Sequence, residues 1–340
     1  MKPDLSSFIQ QGDELCSLIH QMENGTLVHA TLITGEKGVG KKTLARLIAS
    51  GLLCRSDGKR PCGICRDCVM AAGEEHPDMI VIRKGYPIAP DVKKDRSTIP
   101  VDDIREMIRL CSTHTFDGRA RVVLLFEADK MTPQAQNCLL KTLEEPPDNT
   151  YLLLVTDHPD ALLKTVISRT RQVHLHAWPD SYIRYVLEGE GTEPVRTAAS
   201  VSEARGSVGR ALELASDDEY WQLRNEITKR FFGTLNRSEI LQITNAWKDR
   251  KSEADKLIEI LEALIRNLID VHFYPEHREQ ISSFCAAWQN FALNAGTERF
   301  TVLLDAVSDV RREISFNINF QAALEHFLFI LMGEGNLWSV

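Results

Sequence analysis

The sequence predicts an α/β P-loop core built on a parallel five-stranded sheet, followed by a small helical unit and an all-α C-terminal domain. Three observations predict this fold class. Five short apolar runs alternate with helical stretches, a glycine-rich turn follows the first run, and the strand pattern stops near residue 178. Apolar strands separated by helices are typical of a parallel sheet that is covered on both faces.

The predicted strands are short, and they lie in the first two-thirds of the chain in the order Thr31–Thr34, Met79–Ile82, Val122–Phe126, Leu152–Val155 and Gln172–His176. Helices are expected between them, and two have clear patterns, Val101–Cys111 and Thr132–Leu143. We therefore place the core domain at residues 1–177.

Helical patterns fill the rest of the chain. A small helical lid is expected over residues 178–217, with a break at Gly206–Gly209, and a helical domain over residues 218–340. In that domain one helix repeats apolar residues at a period of about 3.6, namely Leu257, Ile258, Leu261, Leu264, Ile265, Leu268 and Ile269. The last helix, Phe320–Met332, is apolar almost all round, which predicts burial in a bundle.

The composition is that of a globular chain without a membrane segment. Of its 340 residues, 43% are hydrophobic and 26% are charged. The longest apolar runs, Val122–Phe126 and Phe327–Met332, are far shorter than the roughly 20 residues that span a bilayer. The N-terminus has acidic residues and lacks the apolar stretch of a secretory signal, so we expect a cytoplasmic protein. The net charge of −8 does not favour a protein whose main task is to grip DNA.

A glycine-rich loop follows the first predicted strand and opens a helix, which is the context of a phosphate-binding P-loop. The motif positions are filled by Gly35, Gly38, Gly40 and Lys41. The next residue of an active loop is a Ser or Thr that ligates Mg²⁺, but here it is Lys42, whose ammonium cannot coordinate a cation. Thr43 does not replace it, because one helical step turns a side chain by about 100°.

The second metal-holding element of such a site is an apolar strand that ends in Asp. The third predicted strand ends instead in Phe126, followed by Glu127. Since two independent magnesium positions are lost together, we predict no ATP hydrolysis. Nucleotide binding is expected to be absent or weak, because only the backbone cradle is left to provide it. The plainer alternative is an inherited turn without a ligand.

Four of the eight cysteines are clustered at the spacing Cys54-x7-Cys62-x2-Cys65-x2-Cys68. Short spacers and Gly63 allow all four thiolates to converge on one tetrahedral Zn²⁺, which predicts a structural zinc module over residues 54–68. Two disulfides are disfavoured in a reducing compartment. An iron–sulfur cluster is disfavoured because nothing else in the sequence indicates redox chemistry.

Basic residues accompany the cysteines, at positions Arg55, Lys59, Arg60 and Arg66. They are compatible with nucleic-acid binding by a zinc ribbon. They also offset the negative charge of a tetrathiolate site. The sequence leaves both interpretations open.

These motifs together resemble the AAA+ clamp-loader family, and most closely its bacterial delta-prime branch. The resemblance is carried by His29–Gly35, the cysteine insert, His76–Asp78, the segment Lys141–Pro147 (KTLEEPP), Ser168-Arg169-Thr170, Gly206–Arg210 and Asn317–Asn319. It runs over nearly the whole chain, with a stretch of low specificity between about 220 and 310. Catalytic relatives keep a P-loop Thr, a third-strand Asp and a lid Arg. Those positions here are Lys42, Phe126 and Gly209.

The resemblance implies a non-hydrolysing subunit of the DNA polymerase III clamp loader, which supports loading of the sliding clamp onto primed DNA. The implied partners are the motor subunits and a delta subunit in a hetero-oligomer, with the sliding clamp and primer-template DNA in the complex. Residues 218–340 are then the collar that joins subunits. Ser168 and Arg169 keep the family motif, with Thr170 in place of Cys, and Arg169 is implied to be an arginine finger for a neighbour's ATP.

Two other functions remain open at this point. One is an active motor-type ATPase of the same family, against which Lys42 and Phe126 argue. The other is a zinc-ribbon nucleic-acid-binding protein on a P-loop fold. For Arg169 the plain alternative is a surface or helix-capping arginine.

Overall fold

The computed structural model describes residues 4–56, 58–89, 97–116, 119–233, 235–316 and 319–336. The chain divides into two compact units. The first contains the residues up to Ile183 together with Gly206–Gly209, and the second contains Arg184–Arg205 and the residues from Arg210 onward.

The first unit is built on a parallel sheet of five strands in the order β2-β3-β4-β1-β5. The strands are β1 Ala30–Gly35, β2 Met79–Ile82, β3 Arg121–Leu125, β4 Thr150–Val155 and β5 Arg171–Leu175. In the register, Thr31 of β1 lies between Leu153 of β4 and Arg171 of β5. The predicted fold class is confirmed.

Two predicted strands extend one residue beyond the observed C-terminal end. β3 stops at Leu125, although the N–H of Phe126 still donates to the carbonyl of Ile82 at 2.9 Å. The next residue, Glu127, has φ 53° and lies in the left-handed region, which an extended strand cannot contain. β5 likewise ends at Leu175, one residue before the predicted end.

Helices cover both faces of this sheet, as a parallel sheet requires. They are α1 Leu5–Ile9, α2 Asp13–Glu23, α3 Lys41–Leu53, α4 Arg66–Ala72, α5 Val101–Cys111, α6 Pro133–Glu144 and α7 Lys164–Ile167, with short 3₁₀ turns η1 Ala128–Lys130 and η2 Pro159–Ala161. The local sequence explains where α6 begins. Thr132 caps the helix by accepting the N–H of Ala135, and Pro133 is the first residue of its first turn.

The second unit is helical. Its elements are the greater part of α8 Asp180–Gly189, α9 Pro194–Ala204, the greater part of α10 Val208–Ser216, α11 Asp218–Phe231, α12 Arg237–Trp247, η3 Lys251–Glu253, α13 Ala254–Phe273, η4 Pro275–Ile281, α14 Ala286–Asn294, α15 Thr297–Ser315 and α16 Phe320–Asn336. The expected break between α9 and α10 is present, with Arg205 and Gly206 both at positive φ.

One buried cluster holds the second unit together. The predicted apolar face of α13 lies in it, and Ala199 of α9 and Leu214 of α10 join the same cluster. α16 differs from the expectation of all-round burial: Phe327 and Leu328 are buried, whereas His326 and Phe329 are exposed. The predicted lid limits, residues 178 and 217, fall inside the two units and stay a prediction.

A buried ion pair also ties α9 to α11 within the second unit. Arg224 Nε lies 2.9 Å from Glu203 Oε1, and both side chains are 3% exposed. The hydroxyl of Tyr220 donates to the other carboxylate oxygen. Burial, with the Glu203 carboxylate beside it, raises the pKa of Tyr220, so this hydroxyl keeps its proton as a donor.

No helix in the described ranges is both long enough and apolar enough to cross a membrane.

Candidate functional site

The P-loop connects β1 to α3 through three glycines with positive φ, at Gly35, Gly38 and Gly40. A side chain at Gly35 would place its Cβ 2.5 Å from the carbonyl oxygen of Leu175, so the turn requires glycine there. α3 then begins at Lys41, and its N-terminus opens onto the loop.

Lys41 is engaged within the chain itself. Its Nζ donates to the carbonyls of Gly35 at 2.8 Å and Glu36 at 2.6 Å, and it pairs with Asp157 Oδ1 at 2.6 Å. An ammonium has three donors, and all three have acceptors here. The side chain is only 4% exposed, so the lysine is folded into its own loop.

Lys42, which stands where the Mg²⁺-ligating hydroxyl belongs, pairs with Glu127 at 2.8 Å. Its Nζ lies 5.6 Å from the ring centroid of Phe126, and the guanidinium of Arg46 lies 5.1 Å from the same ring. Two cations and a buried aromatic ring thus occupy this corner. Thr43 is half-buried one position further along α3.

The first turn of α10 packs directly on the P-loop. The N–H of Gly209 donates to the carbonyl of Gly38 at 2.8 Å, and a Cβ on Gly209 would lie 3.1 Å from that oxygen. Trp178 donates its indole N–H to the carbonyl of Val39 at 2.8 Å and stacks on Tyr182 with ring centroids 4.1 Å apart. Gly209 and Trp178 therefore contact the P-loop at Gly38 and Val39.

The four predicted cysteines form a cluster, in which all four sulfurs lie within 4.8 Å of one another. The Sγ atoms of Cys62 and Cys68 are 3.9 Å apart. Tetrahedral Zn²⁺ with bonds of about 2.3 Å holds its sulfurs about 3.8 Å apart, so the cluster has the size of a metal site. All four are free thiols, and no disulfide joins them. The cluster can bind a metal ion.

Helix ends build this cluster. Cys54 caps the end of α3, Cys65 caps the start of α4, and Cys68 lies in the first turn of α4. Backbone N–H groups of Ile64 and Cys65 donate to the sulfur of Cys62 and lower the pKa of its thiol to about 6. Burial raises the pKa of Cys68. A metal ion would favour the thiolate at both positions.

A chain of polar contacts connects the cysteine segment to the start of β2. The carboxylate of Asp67 accepts Arg55 Nε at 2.6 Å and His76 Nε2 at 3.3 Å. The other ring nitrogen of His76 accepts the N–H of Asp78 at 3.1 Å, so the imidazole proton is on Nε2. Asp78 pairs with buried Arg121 at 3.2 Å. These contacts fix the cysteine segment on the sheet.

Arg169 lies just after α7, on the surface. Its Nε and Nη2 are 2.7 Å and 2.6 Å from Glu144 Oε1, and its Nη1 donates to the carbonyl of Thr165 at 3.1 Å. The hydroxyl of Ser168 donates to the same carbonyl at 3.2 Å. The side chain of Arg169 is 36% exposed. Of the predicted motif Asn317–Asn319, the first two residues lie outside the described residues.

The chain is similar in sequence to proteins of known family. Residues 10–179, half of the chain, match the family described as DNA polymerase III, delta subunit. A relative from Bacillus subtilis named DNA polymerase III subunit delta' is 26% identical over 323 residues, 94% of each chain. One of the same name from Escherichia coli is 35% identical over 212 residues, 62% of this chain and 61% of the relative.

The chain belongs to the delta-prime family of DNA polymerase III clamp-loader subunits. The chain is also similar to the DNA polymerase III subunit tau of Escherichia coli, which is 31% identical over 257 residues, 72% of this chain and 38% of the relative. Among solved structures, a gamma subunit-related protein from Thermotoga maritima is 18% identical, with a TM-score of 0.42, over 95% of this chain and 100% of that one.

The sequence did not lead us to several residues that contact the predicted sites of this delta-prime chain. The position of Asp157 in the sequence could have identified it as a site residue. It follows β4 at the carboxyl edge of the sheet, beside β1, and parallel sheets bind ligands at this edge. No sequence pattern pointed to the roles of Trp178, Glu144 and Asp67. These roles depend on partners that are distant in the chain or come from another element.

Proposed function

We propose that this chain is the non-hydrolysing delta-prime-type subunit of a clamp loader, and that it donates Arg169 to the ATP site of a neighbouring motor subunit. In this role it supports loading of the sliding clamp onto primer-template DNA. The observation that carries the proposal is a contrast: Lys41 of the chain's own P-loop is 4% exposed and paired with the chain's own Asp157, whereas Arg169 is 36% exposed at the surface.

The local P-loop supports the absence of hydrolysis. Lys41 is bound by loop carbonyls and Asp157, and Lys42 occupies the metal corner with Glu127. Catalysis of phosphoryl transfer depends on Mg²⁺ and on a lysine that contacts the phosphates. Neither contribution is available in this arrangement, so ATP binding should be absent or weak.

Arg169 suits a role in trans. A guanidinium is always charged and can bind phosphate oxygens with two parallel hydrogen bonds, which a lysine cannot do. It follows a short helix at an element end, so a neighbouring subunit can approach it. Ser168, which caps the same turn through Thr165, holds the segment that carries the arginine.

The cysteine cluster is proposed to hold one structural Zn²⁺. Four sulfurs complete a tetrahedral shell and leave no position for a substrate, so the ion would brace the segment between α3 and α4 and take no part in catalysis. The ligands Cys54, Cys62, Cys65 and Cys68 are the predicted set.

Assembly is proposed to use the helical region from about residue 218 onward. Its surface carries large apolar side chains with exposed fractions of 37–74%, namely Leu241, Val302, Leu304, Phe316 and Phe329. We propose that neighbouring subunits cover these side chains. The expected partners are the motor subunits and a delta subunit.

The deciding experiment reconstitutes the complex with its motor and delta subunits and measures clamp- and DNA-stimulated ATP hydrolysis. Arginine fingers contribute about 10³–10⁵-fold in rate at one site. Arg169→Ala should therefore silence the site that it borders and slow clamp loading, while assembly stays intact. Arg169→Lys should restore only part of the rate.

The matched control is Arg105→Ala, which removes another exposed arginine that pairs with a carboxylate, that of Asp102. It should leave hydrolysis and loading unchanged. A fully assembled Arg169→Ala complex that loads clamps at the normal rate would show that Arg169 is an ordinary surface arginine.

A further inference from the structure

A buried amide connects α6, the helix of Glu144, to the segment that precedes α7, the helix before Arg169. Gln136, in the first turn of α6, donates to the carbonyl of Ala161 at 3.3 Å and accepts the N–H of Leu163 at 2.7 Å. Ala161 ends η2, Leu163 immediately precedes α7, and Gln136 is 3% exposed. Because a buried amide needs its partners, Gln136 fixes the register between α6 and α7.

That register determines which side chains meet at the far end of the two helices. Glu144 is the last residue of α6, and Arg169 lies two residues after the end of α7. A helix–helix register set in a buried position thus places one carboxylate beside one guanidinium at the surface.

The hydrogen bonds of Arg169 leave part of the guanidinium available. It has five N–H donors. The edge formed by Nε and Nη2 faces Glu144 Oε1, and Nη1 donates to the carbonyl of Thr165 at 3.1 Å and to Ser168 Oγ at 3.5 Å. Nη2 has two N–H groups, and only one of them can point at Glu144. The second N–H of Nη2, at the end of the guanidinium, is the donor that an incoming phosphate oxygen can approach.

We propose that Glu144 is a positioning residue: it holds one edge of Arg169 so that the end of the guanidinium faces the γ-phosphate bound by the neighbouring subunit. The inference rests on the proposed arginine-finger function. A free arginine has four rotatable bonds, and ordering it costs free energy at the moment of reaction. A carboxylate that orders it beforehand removes part of that cost.

The alternative is that the pair is merely a surface ion pair. Both side chains are partly exposed, and such pairs add little to stability. A surface pair predicts no effect on hydrolysis. A positioning role predicts an effect on turnover without a change in thermal stability or in the KM for ATP, because Glu144 touches neither the fold's core nor the nucleotide.

The test uses the reconstituted complex with Glu144→Ala, Glu144→Gln and the control Glu145→Ala, which removes the adjacent exposed carboxylate. Glu144→Ala should lower the turnover number of stimulated ATP hydrolysis about two- to fivefold, the range expected for one exposed ion pair. Glu144→Gln should retain most of the rate, because an amide oxygen still accepts from the guanidinium. Glu145→Ala should match the unmodified complex.

The same substitutions in an Arg169→Ala background separate the two claims. If Glu144 acts through Arg169, Glu144→Ala should have no further effect there. If Arg169→Ala itself changes nothing, the arginine-finger function fails. If Arg169→Ala is slow but Glu144→Ala equals Glu145→Ala, only the positioning role is overturned. A faster Glu144→Ala complex would also overturn it, because the carboxylate would then be restraining the arginine.

Discussion

The ammonium of Lys42 lies 2.8 Å from the carboxylate of Glu127, on the face of the Phe126 ring. Lys42 and Phe126 are the residues predicted from the sequence to fill the two lost magnesium positions, and Glu127 follows Phe126. The pair is partly exposed, so its contribution to stability is small. Its consequence is chemical: a fixed positive side chain stands where a divalent cation would bind, and it repels that cation.

The first prediction is that restoring the two metal positions does not restore hydrolysis. The isolated chain should show no magnesium-dependent ATPase activity, and the double variant Lys42→Thr/Phe126→Asp should remain inactive. The reason is that Lys41 is still bound by loop carbonyls and Gly209 still packs on Gly38. Phosphate release at saturating ATP is the measurement. Turnover by the double variant that Lys41→Ala abolishes would show that the loop is a working site.

The second prediction concerns the metal. Elemental analysis of the purified chain should find about one zinc per chain, because a four-thiolate site takes a single ion. Cys65→Ser should lower both the zinc content and the melting temperature, since binding energy in such modules is folding energy. Cys16→Ser, an exposed cysteine outside the cluster, is the control and should change neither. A folded wild-type chain without metal would contradict the site.

The third prediction tests the contact between Gly209, in the first turn of α10, and the P-loop. Gly209→Ala should destabilise the protein by about 1–3 kcal/mol, because the new methyl group would crowd the backbone of Gly38. Gly333→Ala is a matched helical control with no atom within 4 Å of the new Cβ, and it should stabilise by up to about 1 kcal/mol. Chemical denaturation measures both. Equal stabilisation by the two variants would mean that Gly209 does not pack on the loop.

The fourth prediction concerns the buried pair of the helical unit. Arg224→Met should destabilise that unit by about 3–5 kcal/mol, because it leaves the buried Glu203 carboxylate without its cationic partner. The double variant Glu203→Leu/Arg224→Met should cost less than the single one. Arg109→Met, which breaks the exposed pair with Glu106, should stay within about 0.5 kcal/mol. A double variant that is worse than Arg224→Met would contradict this account.

Local patterns predicted the sheet well. The apolar runs at Met79–Ile82 and Leu152–Val155 lie in the strands of the sheet, and α5 has the predicted bounds. A four-cysteine spacing likewise predicted a cluster, since short spacers constrain the sulfurs regardless of the rest of the fold. The third strand ends one residue before its predicted end, because Glu127 adopts a left-handed backbone conformation. Glutamate as a residue type does not predict that conformation.

The contacts that decide function were not predictable in the same way. Lys42 was identified as a lost ligand, but its partner Glu127 is far away in the sequence, as Asp157 is from Lys41. Such pairs depend on which strands are neighbours in the sheet. The local periodicity of a sequence does not predict the order of its strands. For the same reason the pairing of Glu144 with Arg169 became visible only once α6 and α7 were placed side by side.

The position of β1 at the interior of the sheet has a consequence for biosynthesis. Its two neighbours, β4 and β5, begin only at Thr150 and Arg171. At translation rates of roughly 5–20 residues per second, β1 waits on the order of ten seconds for its first partner. During that time the nascent chain carries an apolar strand with two open edges, which is the kind of segment that chaperones bind and that aggregates at high expression. The strand that carries the P-loop is thus the one whose folding depends most on the completion of the whole core.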